Sequence, residues 1–89
     1  MSTNMRFLVE IALPQVPTPE ILALIPAEIE HGKRLDAEGI REALFVSAQQ
    51  TKAWQIYRAD SEDSLQRIIA GFPLTPFCGV TITQLRNDD

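Results

Sequence analysis

Apolar and polar residues alternate from Arg6 to Leu13, with Phe7, Val9, Ile11 and Leu13 on one face and Arg6, Leu8, Glu10 and Ala12 on the other. That period of two predicts a strand with one strongly apolar face. "PQVPTPE" breaks it, and Thr18-Pro19-Glu20 reads as an N-cap, a proline at the first helical position and an acid in the first turn. From Pro19 to Glu38 the spacing changes to that of a helix, with Ile21, Ile25, Ile29, Gly32 and Leu35 on one side. Pro26 falls inside this run and is expected to kink the helix or split it into a lead-in and a main helix. Gly39 supplies the stop.

Two short strands follow, "REALFVSA" and "KAWQIYRA", and the polar "QQT" between them predicts an antiparallel hairpin. In the second strand Trp54 and Ile56 share a face opposite Gln55 and Tyr57. Their bulk places Trp54 inside, as core or as a pocket wall, and leaves Tyr57 for a subunit interface. Asp60 or Ser61 caps a second helix that runs to Ala70 and stops at Gly71. "CGVTITQL" is the last strand. The order β-α-β-β-α-β predicts an α+β, ferredoxin-like fold: a four-stranded antiparallel sheet with two helices on one face. Apolar residues occur on both strand faces, Val9 beside Leu8 and Phe45 beside Leu44, so the uncovered face calls for a second copy of the chain.

Length and charge narrow the function classes. The 89 residues suit one domain spanning 1–89, with a core over about residues 5–85 and short frayed ends, "MSTN" and "RNDD". A net charge of −4 with scattered Lys and Arg residues argues against nucleic acid. The apolar runs are too short for a membrane span and "FLVEIAL" is not a signal peptide, so a cytoplasmic protein is expected. Cys78 and His31 each occur once, which excludes an internal disulfide and a Cys/His zinc site within one protomer. Cys78 is expected to pack as a small apolar residue.

The main helix carries the densest polar set, "AEIEHGKRLDAEG". Glu30, Arg34 and Glu38 fall four apart, as in a solvated ion-pair ladder. Glu28 and His31 fall three apart at the edge of the apolar stripe. A carboxylate placed there loses hydration and its pKa rises toward a range useful for proton transfer. The other side of that reading is an ordinary surface pair. Gln49 and Gln50 are turn residues, and no phosphate loop, nucleophile elbow or carboxylate metal motif occurs.

"FPLTPF", following a "DSxxxLxxII"-like helix and leading into "VTITQL", resembles the leucine-proline-leucine-x-proline-aromatic segment of the muconolactone isomerase family. The likeness continues back through "KRLDAEG" to "MRFLVEI". It implies a ferredoxin-like subunit of the dimeric α+β barrel type, paired as a homodimer or built into a larger ring. It also implies a cofactor-free and metal-free 1,3 proton shift in a small, anionic, unsaturated lactone during aromatic-compound breakdown. By that resemblance Glu28 is the proton-transfer residue, Arg34 or His31 assists electrostatically, and Trp54, Gln50 and Phe77 border the substrate. The chain departs from the family pattern at Gln50, where a histidine is usual in the turn. It departs also at Glu10, where a lysine is usual, and at Arg41-Glu42, which replace a tryptophan-arginine pair. A non-catalytic ligand-binding or assembly protein is the alternative expectation, and cofactor-independent oxygenation a third.

Overall fold

The computed structural model describes residues 5–86, so the expectation of frayed ends concerns residues outside the described ones at 1–4 and 87–89. The chain folds as β1 (Met5–Ala12), α1 (Pro19–Ala37), β2 (Arg41–Val46), β3 (Lys52–Ala59), α2 (Glu62–Ala70), a 3-10 turn (Thr75–Phe77) and β4 (Gly79–Leu85). The strands form one antiparallel sheet in the order β2-β3-β1-β4, the ferredoxin-like arrangement.

Register decides which residues face the helices. Phe7 pairs with Tyr57, Val9 with Gln55 and Ile11 with Ala53, and cross-strand partners share a face. Phe7, Val9, Tyr57 and Ala59 pack with Leu35 of α1 and Leu65 and Ile69 of α2, so both helices lie on this side. Phe7, Val9, Tyr57 and Leu65 are wholly buried.

The expected placement of β3 is therefore reversed. Tyr57 is core, while Trp54 and Ile56 lie on the open face, only partly buried. The larger apolar pair lost because β3 is pinned by its neighbours: Phe7 and Val9 must face inward, and their partners follow.

Helix α1 begins as its sequence requires, with Thr18 Oγ1 accepting from the Ile21 amide at 3.2 Å. It runs through Pro26 as a single helix rather than splitting. Ile21, Gly32 and Leu35 of the stripe are buried, but Ile29 is 53% exposed. At its end Gly39 adopts φ +75°, with Gly39 N donating to Asp36 O and Ile40 N to Leu35 O. These two bonds cap the last carbonyls in a left-handed turn. No ion pair links Glu30, Arg34 and Glu38 among the described residues.

Candidate active site

The "FPLTPF" segment shapes a cavity between α1, β3 and the start of β4. Helix α2 ends at Gly71, and Pro73 prevents its continuation. The chain then winds through successive turns, with Phe72 N donating to Ile69 O, Thr75 N to Phe72 O and Cys78 N to Thr75 O. Released from any helical ladder, the Leu74 amide needs another acceptor. It donates to Glu28 Oε1 at 2.9 Å, across 46 positions of sequence.

Glu28 is half-buried and lines two connected spaces. The inner cavity, about 50 Å³, is walled by Ile11, Tyr57, Ile69, Thr75, Cys78 and Val80. That volume admits water or a small group. The outer groove, about 370 Å³, lies between α1 and the β2 edge and adds Ile29, Lys33, Asp36, Arg41, Leu44 and Val46. It falls in the size range of small-ligand sites. Glu28, Ala53, Gln55, Phe72 and Leu74 border both.

Loss of hydration is the largest influence on Glu28 and pushes its carboxyl above the usual carboxylate range. The Leu74 amide, His31 and Arg41 pull the other way and offset only part of that rise. The opposing wall is polar but neutral: the Tyr57 hydroxyl donates to Gln55 Oε1, and both residues are buried. Burial drives the Tyr57 hydroxyl far up, so it stays protonated. Cys78 is likewise pushed up by burial and then by Glu28, which leaves a thiol rather than a nucleophilic thiolate. The arrangement offers one carboxyl able to gain and lose a proton, beside hydroxyl and amide groups that do not titrate.

The other expected site residues scatter. His31 packs edge-on against Phe72, ring centroids 4.4 Å apart at 86°, and does not line the cavity. Its Nε2 is buried without a hydrogen-bond partner. It reaches Glu28 only through its electrostatic influence. Arg34 is exposed and lines neither space. Trp54 lies on the opposite face of the sheet, its Nε1 donating to Glu10 Oε1 at 3.2 Å. Gln50 sits in the hairpin turn at φ +58° and lines neither Glu28 space; it borders a third groove that shares Leu13, Val46 and Leu74 with the outer one. Phe77 is 37% exposed and lines neither the cavity nor the groove. Within this subunit the Glu28 site therefore excludes Arg34, His31, Trp54, Gln50 and Phe77 from its walls.

Gln55, Tyr57 and Arg41 were not expected at the site: Tyr57 was read as an interface residue and Arg41 only as a departure from the family pattern. Arg41 is separated from Glu28 by the end of α1, and nothing in spacing connects them. A β-bulge opposes Glu42 and Ala43 to Ile56, so Arg41 turns inward opposite Tyr57 while Glu42 turns outward. Gln55 and Tyr57 had one legible signal, the polar-aromatic alternation of β3. Among the described residues no group of three or more His, Cys, Asp or Glu side chains is placed to hold a metal ion.

Fold and site together define a small ferredoxin-like α+β protein with a half-buried carboxyl at the base of a groove. The profile of the muconolactone delta-isomerase family matches residues 5–89, and the chain belongs to that family. Its fold is similar to the crystal structure of muconolactone isomerase at 3.3 Å resolution, with a TM-score of 0.80 and 23% identity, over 94% of this chain and 91% of that one. A weaker likeness, TM-score 0.57 and 18% identity, is to the feast or famine regulatory protein of M. tuberculosis complexed with L-methionine, over 94% of this chain and 51% of that one. No curated protein sequence matches the chain.

Proposed function

We propose that the protein is a cofactor-free acid/base isomerase that moves a proton between two carbons of a small unsaturated lactone or related ring compound. Glu28 carries the reading: it is a carboxyl drawn partly out of water and held by the Leu74 amide at the floor of a ligand-sized groove. As a carboxylate, Glu28 takes the proton from the sp3 ring carbon, and the electron pair delocalises onto the lactone carbonyl oxygen. The carboxyl exchanges its proton with water of the open groove and delivers one to the carbon two positions away, which restores the carbonyl and shifts the double bond. Atoms and charge balance without a metal or redox partner. With its oxygen accepting from the Tyr57 hydroxyl, Gln55 has its amide N–H groups to present to the developing oxyanion.

The open sheet face supports self-association as a homodimer or a larger ring. Leu8, Trp54, Ile56 and Phe45 share that face, and Phe45 is 59% exposed. A role in aromatic-compound breakdown in the cytoplasm fits this chemistry, and no helix among the described residues is long and apolar enough to cross a membrane. The alternative, a non-catalytic binder of the same ligands, is favoured by Gln50, a residue that cannot titrate. Incubation with muconolactone separates the two: double-bond migration by the native chain and none by Glu28→Gln supports the isomerase. Equal rates in both would remove Glu28 as the base, and binding without migration in the native chain would leave the binder.

A further inference from the structure

Three residues on α1 and β2 build a second feature of the groove wall. The bulge in β2 brings the Arg41 side chain against the end of α1, where only 9% of it remains exposed. Asp36 fixes one edge of the fork, accepting from Arg41 Nε at 2.7 Å and from Nη2 at 3.0 Å. The Nη edge of the guanidinium packs closely against the helix at Gly32, where a Cβ would meet Nη2 at 2.8 Å, Nη1 at 3.0 Å and Cζ at 3.1 Å. A side chain at Gly32 would therefore displace it. The Tyr57 hydroxyl lies within the influence of the same cation.

This is more fixation than a surface ion pair provides. A long, flexible cation has been taken largely out of water, aligned and held rigid at the rim of a groove. A guanidinium has five N–H donors in a planar fork; Asp36 engages two of them and the Tyr57 hydroxyl is a further partner, so others remain. The groove also carries Lys33, a second cation beside Arg41. Leu44, Val46 and Leu74 provide apolar walls for a flat body.

We infer that Arg41 anchors the carboxylate of the ligand. Held by Asp36 over Gly32, the guanidinium takes the carboxylate through its remaining donors, and the ring extends between the apolar walls toward Glu28. The inference rests on the groove being the substrate site, but it requires only binding. Arg41 acts as a specificity-determining residue, with Gly32 and Asp36 as its positioning residues.

The test uses 2-furoate and its neutral counterpart 2-furamide, titrated into the whole protein by calorimetry and by following the Arg41 Nε–Hε signal in 15N NMR. The native chain is expected to bind furoate about tenfold or more tighter than furamide, with the Arg41 signal shifting only for furoate. Arg41→Gln removes that preference, and Arg41→Lys restores part of it because an ammonium keeps the charge without the fork. Gly32→Ala retains the arginine but displaces it, and weakens furoate binding while furamide is unaffected. It therefore tests the idea even if Arg41→Gln folds poorly. Failure of furoate to bind, equal affinity for both probes, or an unmoved Arg41 signal overturns the inference. So does furoate affinity unchanged by Gly32→Ala. Furoate held through Arg41 in a protein that never isomerises muconolactone would leave the anion site standing and remove the isomerase. Isomerisation with furoate indifferent to Arg41 would do the reverse.

Discussion

The two faces of the sheet solve different problems with the same strands. The covered face is apolar on β1, but on β3 it carries Ala53, Gln55, Tyr57 and Ala59, a mixture of small and polar groups. Small residues there leave the space that becomes the cavity, and the polar ones give it hydrogen-bonding walls. The open face carries the bulk: Leu8, Trp54, Ile56 and Phe45. Its charges are paired rather than buried. Arg6 and Arg58 stand directly opposite each other, an arrangement that repels, and Glu42 sits between them with contacts of 3.1 and 2.5 Å. Lys52 and the Trp54 indole share Glu10 in the same way. In this chain the less apolar face of β3 is the inner one because its pairing with Phe7 and Val9 of β1 turns it inward.

Truncations on the two faces should separate this account most widely. Phe7→Ala, in the closed core, is expected to lower stability by about 3–5 kcal/mol in urea unfolding. Phe45→Ala, on the open face, should cost the isolated subunit well under about 1 kcal/mol. If the open face pairs with a second copy, Phe45→Ser combined with Ile56→Ser shifts the protein to monomer in light scattering at fixed concentration, leaving the fold by circular dichroism intact. An unchanged mass would detach self-association from this face.

The next contrast lies in the two aromatic residues of β3, Tyr57 on the inner face and Trp54 on the open one. Tyr57→Phe leaves the buried Gln55 oxygen without its donor and should cost about 1–3 kcal/mol. Trp54→Phe loses only a bond to Glu10 at a part-buried position and should cost less. A reversed order would restore Trp54 to the core and undo the assignment of the two faces.

A smaller, pH-dependent effect follows from Glu28. Burial raises its folded-state pKa, so its contribution to stability is fully present below the unfolded carboxyl range and is lost as pH rises through the raised value. Glu28→Gln keeps an oxygen for the Leu74 amide but has no charge to bury. The variant should therefore melt higher than the native protein, and the difference should grow from about pH 4 to neutrality. Asp36 and Glu42 have the opposite sign, since arginine partners hold them below the usual range. They lose stability as pH falls, and being largely exposed they contribute little. A melting difference that shrinks with rising pH would mean that Glu28 is not desolvated.

Much of this fold was written locally. Thr18, Pro19, Ser61 and Gly39 mark helix ends by chemistry that needs no tertiary partner, and the alternation of β1 fixes the sheet's inner face. The side chosen for β3 was misread because bulk favoured Trp54 and Ile56, whereas the partner strand decides. Glu28 was legible from its place at the edge of the apolar stripe. Its hydrogen-bond donor was not, because a backbone amide leaves no residue signature and Leu74 is distant in sequence. Arg41 was hidden for a related reason: a one-residue bulge, invisible in composition, turned it toward the groove. The "FPLTPF" segment, read from the sequence as the mark of the family, also supplies the contact that holds the candidate base.

The most direct test of that base is solvent exchange. Muconolactone turned over by the native protein in heavy water should give product carrying deuterium at the ring carbon that receives the proton, and with Glu28→Gln uptake should fall by about a hundredfold or more. Uptake equal in the two proteins, or none in the native chain under conditions where muconolactone is bound, would contradict the role assigned to Glu28.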